Sequence, residues 1–179
     1  MPRPIRILLA GGIYHVMNRG NRREPIFCSD GDFILFRELL GQVARERQWI
    51  IHAFCLMPNH YHVLVETPKA DLSVGIQRLN GEYASWFNRC YGLVGHVFQG
   101  RYRSSLIESD GQFLHTVRYI AQNPVRAGLA DSPAGWRWSS YADVVAKDRR
   151  PLSDRLLRSF AREPSRALAL LRAFVEDVA

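Results

Sequence analysis

Cysteine is scarce in this sequence of 179 residues, and the few cysteines present form no recognisable motif. The chain has three cysteines, Cys28, Cys55 and Cys90, so they cannot all pair with one another, and no two of them form a CxxC motif. The sequence therefore predicts neither a disulfide framework nor a zinc ribbon. We expect a protein of a reducing, cytosolic compartment.

Long hydrophobic runs are also missing. In the amino-terminal segment 1–10, two arginines precede the apolar run Ile7–Ala10, which is too short for the hydrophobic region of a signal peptide. Residues 50–65 are uncharged, but they include Pro58, Asn59 and three histidines and fall short of a membrane span. We therefore expect no membrane association and a cytoplasmic location.

Lysine is also rare: the chain has only two lysines, Lys69 and Lys147, compared with 22 arginines. The formal net charge is +7, and guanidinium groups suit bidentate recognition of phosphates and base edges. An anionic partner such as nucleic acid is therefore expected. A GC-rich genome, which favours arginine codons, explains the composition alone equally well.

Hydrophobic residues make up 47% of the chain, which is enough for one core of ordinary size and too little for two large domains. We expect one domain over residues 1–148 and a carboxy-terminal helical extension over 149–179, packed on or near it. The boundary falls at 148–151. Before it, three aromatic residues indicate a stretch that packs back on the core: Trp136, Trp138 and Tyr141.

Hydrophobic periodicity predicts the order strand, helix, strand, strand, helix, strand, helix. The predicted strands are 12–18, 49–57, 60–66 and roughly 101–108; the predicted helices begin after Ser29 or Asp30, begin after Pro68, and cover Asp110 to Asn123. The third helix should end near Pro124, because the residue before proline disfavours helical geometry.

The first six elements fit a ferredoxin-like, split βαβ fold of the α+β class. Its sheet has four to five largely antiparallel strands, with helices on one face. The opposite face is then expected to be open for a ligand.

A pair of histidines, His60 and His62, begins the third predicted strand. Side chains at positions i and i+2 of a strand project from the same face, with Cα atoms about 6.6 Å apart, so both imidazoles can converge on one ion. Tyr61 faces the other way, toward the core. Histidines in strands are more often structural hydrogen-bonding groups, so the pair alone is a weak signal.

The third predicted helix carries Tyr119 and Asn123, four residues and one turn apart on the same stripe. An amide oxygen is a hard ligand, and a phenol one turn earlier would stand beside the ion. Two imidazoles and one amide oxygen would form a mixed site suited to Mg²⁺ or Mn²⁺. Spacing alone, however, favours an ordinary half-buried tyrosine and an ordinary asparagine near a helix end.

Several segments together resemble the REP-associated tyrosine transposases, relatives of the single-tyrosine HUH transposases of insertion sequences. They occur in the family's order and cover most of the chain: YHVMNRGNRREPIF at 14–27, MPNHYHVLV at 57–65, GHVFQGRYRSSLI at 95–107, RYIAQNPVRAGL at 118–129 and WSSY at 138–141. Tyr61 departs from the aliphatic residue that is common between the two histidines.

The resemblance implies a ferredoxin-like nuclease fold that cleaves single-stranded DNA at hairpin or palindromic repeats. By position, His60 and His62 match the metal-binding pair, Tyr119 matches the nucleophile, and Asn123 matches the third ligand. Cleavage would form a 5′-phosphotyrosine. Members of the family differ in whether the tyrosine serves its own subunit or a dimer partner, so both a monomer and a homodimer remain open.

Five arginines are candidate DNA contacts because they lie within the family's motif segments: Arg19, Arg22 and Arg23, which follow the first predicted strand, and Arg101 and Arg103, which flank Tyr102. Guanidinium groups can bind phosphates or base edges, while rings stack on bases. The general base is not identified. Glu66 shares a strand face with His60 and His62, but a salt-bridged glutamate is the favoured interpretation. His115, one turn before Tyr119, could touch DNA near the cleaved bond, but a capped or surface histidine is the favoured interpretation.

The sequence thus predicts a metal-dependent single-stranded DNA endonuclease and transesterase. One alternative is a non-catalytic nucleic-acid-binding module, since four-stranded sheets of this plan also carry RNA. Another is a zinc hydrolase that uses His60, His62 and a cysteine, which the absence of a convincingly spaced soft ligand disfavours.

Overall fold

The protein is built around a four-stranded antiparallel sheet with the strand order β2-β3-β1-β4. Our computed structural model describes residues 8–146 and 153–177. The strands are β1 (Gly12–Arg19), β2 (Ile50–Met57), β3 (His60–Thr67) and β4 (Arg103–Leu106). The predicted α+β class and antiparallel sheet are therefore confirmed.

Two long helices cover one face of this sheet, α1 (Asp30–Arg47) and α2 (Leu72–Tyr91). Helix α1 begins where predicted, because the Asp32 carboxylate accepts hydrogen bonds from the backbone N–H groups of Cys28 and Ser29 at 2.6 and 2.8 Å. The predicted apolar stripe of α1 is buried in an aromatic-rich core with the strands and α2: Phe33, Phe36, Leu40 and Val43.

The opposite face is not open, which corrects the expectation of helices on one face only. Helix α3 (Asp110–Arg126) packs on it with α4 (Ser140–Val145), α5 (Asp154–Arg158) and α6 (Pro164–Glu176). Both surfaces present apolar side chains that must be buried. In the strands these include Ile13, Ala53, Cys55 and Leu64, and in α3 they include Phe113, Val117 and Ile120.

Helix α3 also continues past Pro124, contrary to the prediction that it ends there. The carbonyl groups of Asn123 and Pro124 still accept bonds, from the N–H groups of Ala127 and Leu129 at 3.0 and 2.9 Å. The preference against helix before proline is overcome because Pro124 is itself buried and these later bonds complete the turn. Asn123 therefore keeps helical geometry, one turn after Tyr119.

The predicted fourth strand is shorter than expected, since only residues 103–106 join the ladder with β1. The chain before it pairs irregularly with the end of β1, through a bridge between Gly20 and Phe98 and a bond from Gln99 N–H to the Arg19 carbonyl at 2.9 Å. This irregular pairing brings the 97–103 segment beside the carboxy-terminal end of β1.

The tryptophan-containing stretch packs back on β2, as predicted. The Trp136 indole donates to the Leu56 carbonyl at 2.8 Å, and the Leu56 N–H donates to the Trp138 carbonyl at 2.9 Å. Farther along, α5 and α6 bury Leu156 and Leu171 against the α3 side of the sheet. The predicted boundary at 148–151 lies outside the described residues. No helix in the described parts of the chain has the length and apolar character needed to cross a membrane.

Candidate active site

The candidate site lies where β1 and β3 run side by side at the centre of the sheet. Pairing places Met17 opposite His62 and Arg19 opposite His60. Strand alternation directs both histidines to the α3 face, as the sequence predicts. Tyr61 points to the other face, where it is fully buried and donates to Asn80 Oδ1 at 2.9 Å.

The first ligand candidate, His60, is oriented by its neighbour Asn59. The Asn59 amide nitrogen donates to the Arg23 carbonyl at 3.0 Å, so its oxygen is the atom that faces His60 Nδ1 at 2.7 Å. That oxygen can only accept, and His60 Nδ1 therefore carries the proton. The Nε2 lone pair of His60 is left available for an ion.

The second ligand candidate, His62, is almost completely buried and lies 5.1 Å from His60 between ring centroids. Its Nδ1 atom is 2.9 Å from Nε2 of His15, a strand residue that sequence reasoning missed. Parity along β1 could have placed His15 on this face. Its proximity to His62 depends on the pairing of β1 with β3, for which a single sequence offers no direct signal.

Helix α3 brings both of its predicted residues to the histidines. The Asn123 side-chain nitrogen lies 3.4 Å from His62 Nε2, and the same side chain hydrogen-bonds His60. A 180° turn of the amide presents its oxygen instead, which is the atom a metal ion binds. The Tyr119 ring meets His62 and His15 edge-on, with centroids 5.5 and 5.9 Å apart.

Burial controls the electrostatics of the histidines. Desolvation, with the nearby Arg19 charge, lowers the pKa of His60 to about 4. Desolvation and the neighbouring charges of His15, His60 and Arg19 lower the pKa of His62 even further. Both imidazoles are therefore neutral near pH 7, which is the form that binds a metal ion.

These residues fit a hard divalent cation with open coordination positions, because two neutral imidazoles from β3 and the side-chain amide of Asn123 from α3 meet here. In the parts of the chain that the structure describes, no group of three or more histidine, cysteine, aspartate or glutamate side chains could hold a metal. A zinc site that adds a cysteine to His60 and His62 has no support in those parts.

Two adjoining cavities open beside Tyr119 and the histidines. One has a volume of about 340 Å³ and is lined by His15, Met17, His62, Arg103, Ser105, His115, Thr116 and Tyr119. The other has a volume of about 270 Å³ and is lined by Met17, Asn18, Arg19, Gln99, Gly100, Arg101 and Arg103. The two cavities are neighbours, since Met17 and Arg103 line both of them, and together they are called the recess below.

Three of the five predicted DNA-contacting arginines therefore meet at this recess: Arg19, Arg101 and Arg103. The other two, Arg22 and Arg23, lie on the neighbouring 3₁₀ turn, exposed and with positive φ angles. The bond from Asn59 to the Arg23 carbonyl ties this turn to the start of β3.

Glu66, considered as a base, and His115, considered as a DNA contact, differ in position. Glu66 lies 3.3 Å from the buried His52 and not at the recess, which agrees with the interpretation of a paired glutamate. His115 is exposed and lines the recess beside Tyr119. Both residues also line a third cavity, with a volume of about 590 Å³. Arg126 lies over the Tyr119 ring, 5.6 Å from its centroid.

Comparisons with known proteins identify the family and the fold that this chain shares. The family described as "Transposase IS200 like" matches residues 10–123. A REP-associated tyrosine transposase of Escherichia coli strain K12 is 26% identical over 148 residues, which cover 82% of this chain and 87% of the relative. A solved structure of a REP-associated tyrosine transposase bound to a REP hairpin shares the fold, with a TM-score of 0.70, 24% identity, and coverage of 86% of this chain and 89% of the other.

The resemblance predicted from the sequence motifs is therefore confirmed. The matched residues include β1, both histidines, Tyr119 and Asn123. On this basis the chain belongs to the IS200-like transposase family.

Proposed function

We propose that this protein is a divalent-metal-dependent endonuclease and transesterase that acts on single-stranded DNA at hairpin-containing repeats. The observation that carries the proposal is the convergence of Tyr119 from α3 with His60 and His62 from β3. The related E. coli protein is a REP-associated tyrosine transposase, and the similar solved structure holds a REP hairpin. The hairpin bound in the similar structure supports hairpin DNA as the substrate class.

His60, His62 and Asn123 would hold Mg²⁺ or Mn²⁺. When bound, the ion supplies positive charge to the scissile phosphate and to the charge that develops on it. The chain contributes the orientation of its ligands, since Asn59 directs one imidazole and α3 delivers the amide.

Tyr119 is the proposed nucleophile. Its hydroxyl oxygen forms a bond to phosphorus, the bond from phosphorus to the 3′ oxygen breaks, and that oxygen leaves as a 3′ hydroxyl. The DNA 5′ end remains as a phosphotyrosine, and a second 3′ hydroxyl can reverse the step because one phosphodiester replaces another. The Arg126 guanidinium lies over the Tyr119 ring and can help to hold that ring in place.

The arginines of the recess are proposed to position the DNA on either side of the cleaved bond. The Nε atom of Arg19 is buried without a hydrogen-bond partner within the described residues, so it offers a donor to a phosphate oxygen. Arg101 and Arg103 line the same recess. Arg22 and Arg23 extend this positive surface onto the adjacent turn, where they can contact the backbone of the hairpin.

The test is incubation of the protein with labelled single-stranded hairpin DNAs and Mg²⁺ or Mn²⁺, scored for a covalent adduct on a denaturing gel. The wild-type protein should form the adduct, and Tyr119→Phe should lose it while retaining most of its DNA affinity. Tyr91→Phe is a matched control, because Tyr91 is exposed on α2, remote from the recess, and should not matter.

Two results would contradict the proposal. An adduct formed by Tyr119→Phe would show that another residue is the nucleophile. DNA binding by the wild-type protein without any adduct or cleavage, across hairpins of varied sequence and with both metals, would instead support a non-catalytic binding module.

A further inference from the structure

His15 is a histidine of the site that the proposed metal-binding set leaves without a role, and it is in direct contact with one of the proposed ligands. It lies on β1, on the same face as the proposed ligands, and is partly buried beside His62 and Tyr119. Its Nε2 atom is 2.9 Å from Nδ1 of His62. We infer that His15 is a positioning residue for the metal site, accepting a hydrogen bond from His62 and thereby directing the other nitrogen of that ring toward the ion. This inference rests on the proposed function.

The sheet itself holds the two rings at this distance. Met17 stands directly opposite His62 and His15 opposite Leu64, so His15 and His62 are diagonal neighbours on one face of an antiparallel ladder. Their ring centroids are 5.1 Å apart with planes 28° from parallel. Neither side chain depends on a loop for its position, which makes the contact a property of the fold.

The direction of the hydrogen bond decides whether His62 can be a ligand. A neutral imidazole has one N–H and one lone pair. If His62 Nδ1 donates to His15, the lone pair of His62 lies on Nε2, which faces Asn123 and the other ligand candidate. If His15 donates instead, Nε2 of His62 carries the proton and cannot bind a metal ion. Only the arrangement with His15 as acceptor is compatible with metal binding.

The same logic already operates at His60, where Asn59 Oδ1 faces Nδ1 at 2.7 Å. Each proposed imidazole ligand thus has an acceptor at Nδ1 and leaves Nε2 for the ion. Partners of this kind commonly fix the tautomer and the ring orientation of histidine ligands. Two different residue types supply the same function, an asparagine in the turn between β2 and β3 and a histidine on β1.

His15 also contacts the nucleophile, because its ring meets Tyr119 edge-on at 5.9 Å. One side chain therefore packs against both the proposed ligand and the proposed nucleophile. Substitution must separate these two roles, since loss of the ring and loss of the acceptor have different consequences.

Two variants separate them. His15→Phe retains a ring of similar size and removes the acceptor, whereas His15→Gln removes the ring and can place an amide oxygen near the position of Nε2. We would measure Mn²⁺ binding to the DNA-free protein by calorimetry. His15→Phe should weaken the affinity by about 10- to 100-fold, and His15→Gln should remain within about threefold of the wild type because an acceptor is restored.

A second readout requires no metal. Long-range ¹H–¹⁵N NMR spectra report which nitrogen of each imidazole is protonated, and the chain has only six histidines to assign. In the wild type and in His15→Gln, His62 should carry its proton on Nδ1. In His15→Phe this tautomer should lose its dominance. His115→Phe is the matched control, since His115 lines the recess but is exposed, and it should leave the His62 tautomer and Mn²⁺ affinity unchanged.

The inference is overturned if His15→Phe binds Mn²⁺ as the wild type does and keeps the Nδ1 tautomer of His62. It is also overturned if His15→Gln is as impaired as a well-folded His15→Phe. These failures differ from failure of the proposed function, in which the wild-type protein would bind no Mn²⁺ or would bind it equally well after His60→Ala and His62→Ala.

Discussion

The two faces of the sheet use the same strands for different purposes, and β3 shows the contrast within three residues. Tyr61 points to the α1 and α2 face, where it is fully buried among aromatic rings. Its neighbours, His60 and His62, point to the α3 face and meet polar partners. Strand alternation therefore allows one segment to supply core packing on one side and reactive groups on the other.

Tyr61 and Tyr119 extend this contrast to the phenols. Burial raises the pKa of Tyr61 well above its usual range, so its hydroxyl remains protonated and serves as a donor to Asn80. Tyr119 instead lies at the wall of an open recess beside a guanidinium group. Surroundings, and not residue type, therefore distinguish a structural tyrosine from a candidate nucleophile.

The largest expected effect comes from the aromatic face. Phe36 is fully buried and contacts the rings of Phe27, Tyr61 and Tyr83. Phe36→Ala should lower the free energy of unfolding by about 3–5 kcal/mol, because it removes a buried ring and leaves a cavity. Urea denaturation followed by circular dichroism measures the change. Ile34→Ala, at a half-exposed position of the same helix, is the control. Equal stability of the two variants would break the assignment of this face to the core.

The next effect concerns the opposite face. His60→Ala should slow DNA cleavage by more than about a hundredfold, because one of three proposed metal ligands is removed. The free energy of unfolding should fall by less than about 1 kcal/mol, since His60 is only partly buried. Single-turnover cleavage and urea denaturation report the two quantities. Cleavage at the wild-type rate, or a stability loss comparable to that of Phe36→Ala, would contradict the division of roles between the faces.

A pH measurement sharpens the comparison within the α3 face, because His52 on that face is structural. It is buried between Phe113, Ser153 and Glu66. Desolvation, reinforced by the charge of Arg155, lowers its pKa to about 4 despite the nearby carboxylate. The folded state therefore disfavours the imidazolium, and stability conferred by neutral His52 is complete above about pH 6.5, the pKa expected in the unfolded chain.

Below about pH 6.5 the His52 imidazole of the unfolded chain binds a proton, whereas in the folded chain it stays neutral down to about pH 4. The free energy of unfolding therefore decreases as the pH falls from about 6.5 to about 4. Between pH 7 and pH 5, His52→Gln should lose roughly 2 kcal/mol less unfolding free energy than the wild type. Urea denaturation at both pH values measures the difference. The contributions of the other histidines cancel, because both proteins contain them. Identical pH dependence of the two proteins would show that His52 does not titrate in this way.

The smallest effect is expected on the basic turn. The double variant Arg22→Gln, Arg23→Gln should reduce affinity for hairpin DNA only several-fold near physiological salt, because the arginines of the recess remain. The slope of log affinity against log salt should decrease by about 2, because each of the two guanidinium groups is expected to neutralise one phosphate. Cleavage of saturating DNA should keep its rate. An unchanged salt slope would indicate that these exposed arginines do not contact DNA.

The elements that the sequence predicted well are those whose signals are local. Helix α1 begins at the predicted position because its cap and its apolar stripe lie within a few residues of each other. The histidine pair was placed on one face because strand alternation needs only positions 60 and 62. Such features require no knowledge of which elements meet in space.

The features that escaped prediction depend on long-range pairing. Helix α3 covers the second face of the sheet because both the helix and the strands present apolar side chains there. Hydrophobic periodicity identifies an apolar stripe on a helix, but it does not say which surface that stripe packs against. His15 is part of the site only because β1 pairs with β3. This pairing brings it to His62, which lies 47 residues away in the sequence. At Pro124, a local preference against helix yielded to burial and to later hydrogen bonds.

Pro124 has a mechanical consequence for the nucleophile. Proline has no backbone N–H, so the carbonyl of Ile120 receives no bond from residue 124, and the turn joining Tyr119 to Asn123 is held by one rung fewer than a regular turn. Helices bend most readily where their ladder is interrupted. A bend at this turn would therefore move Tyr119, the proposed nucleophile, and Asn123, the proposed ligand, together relative to β3.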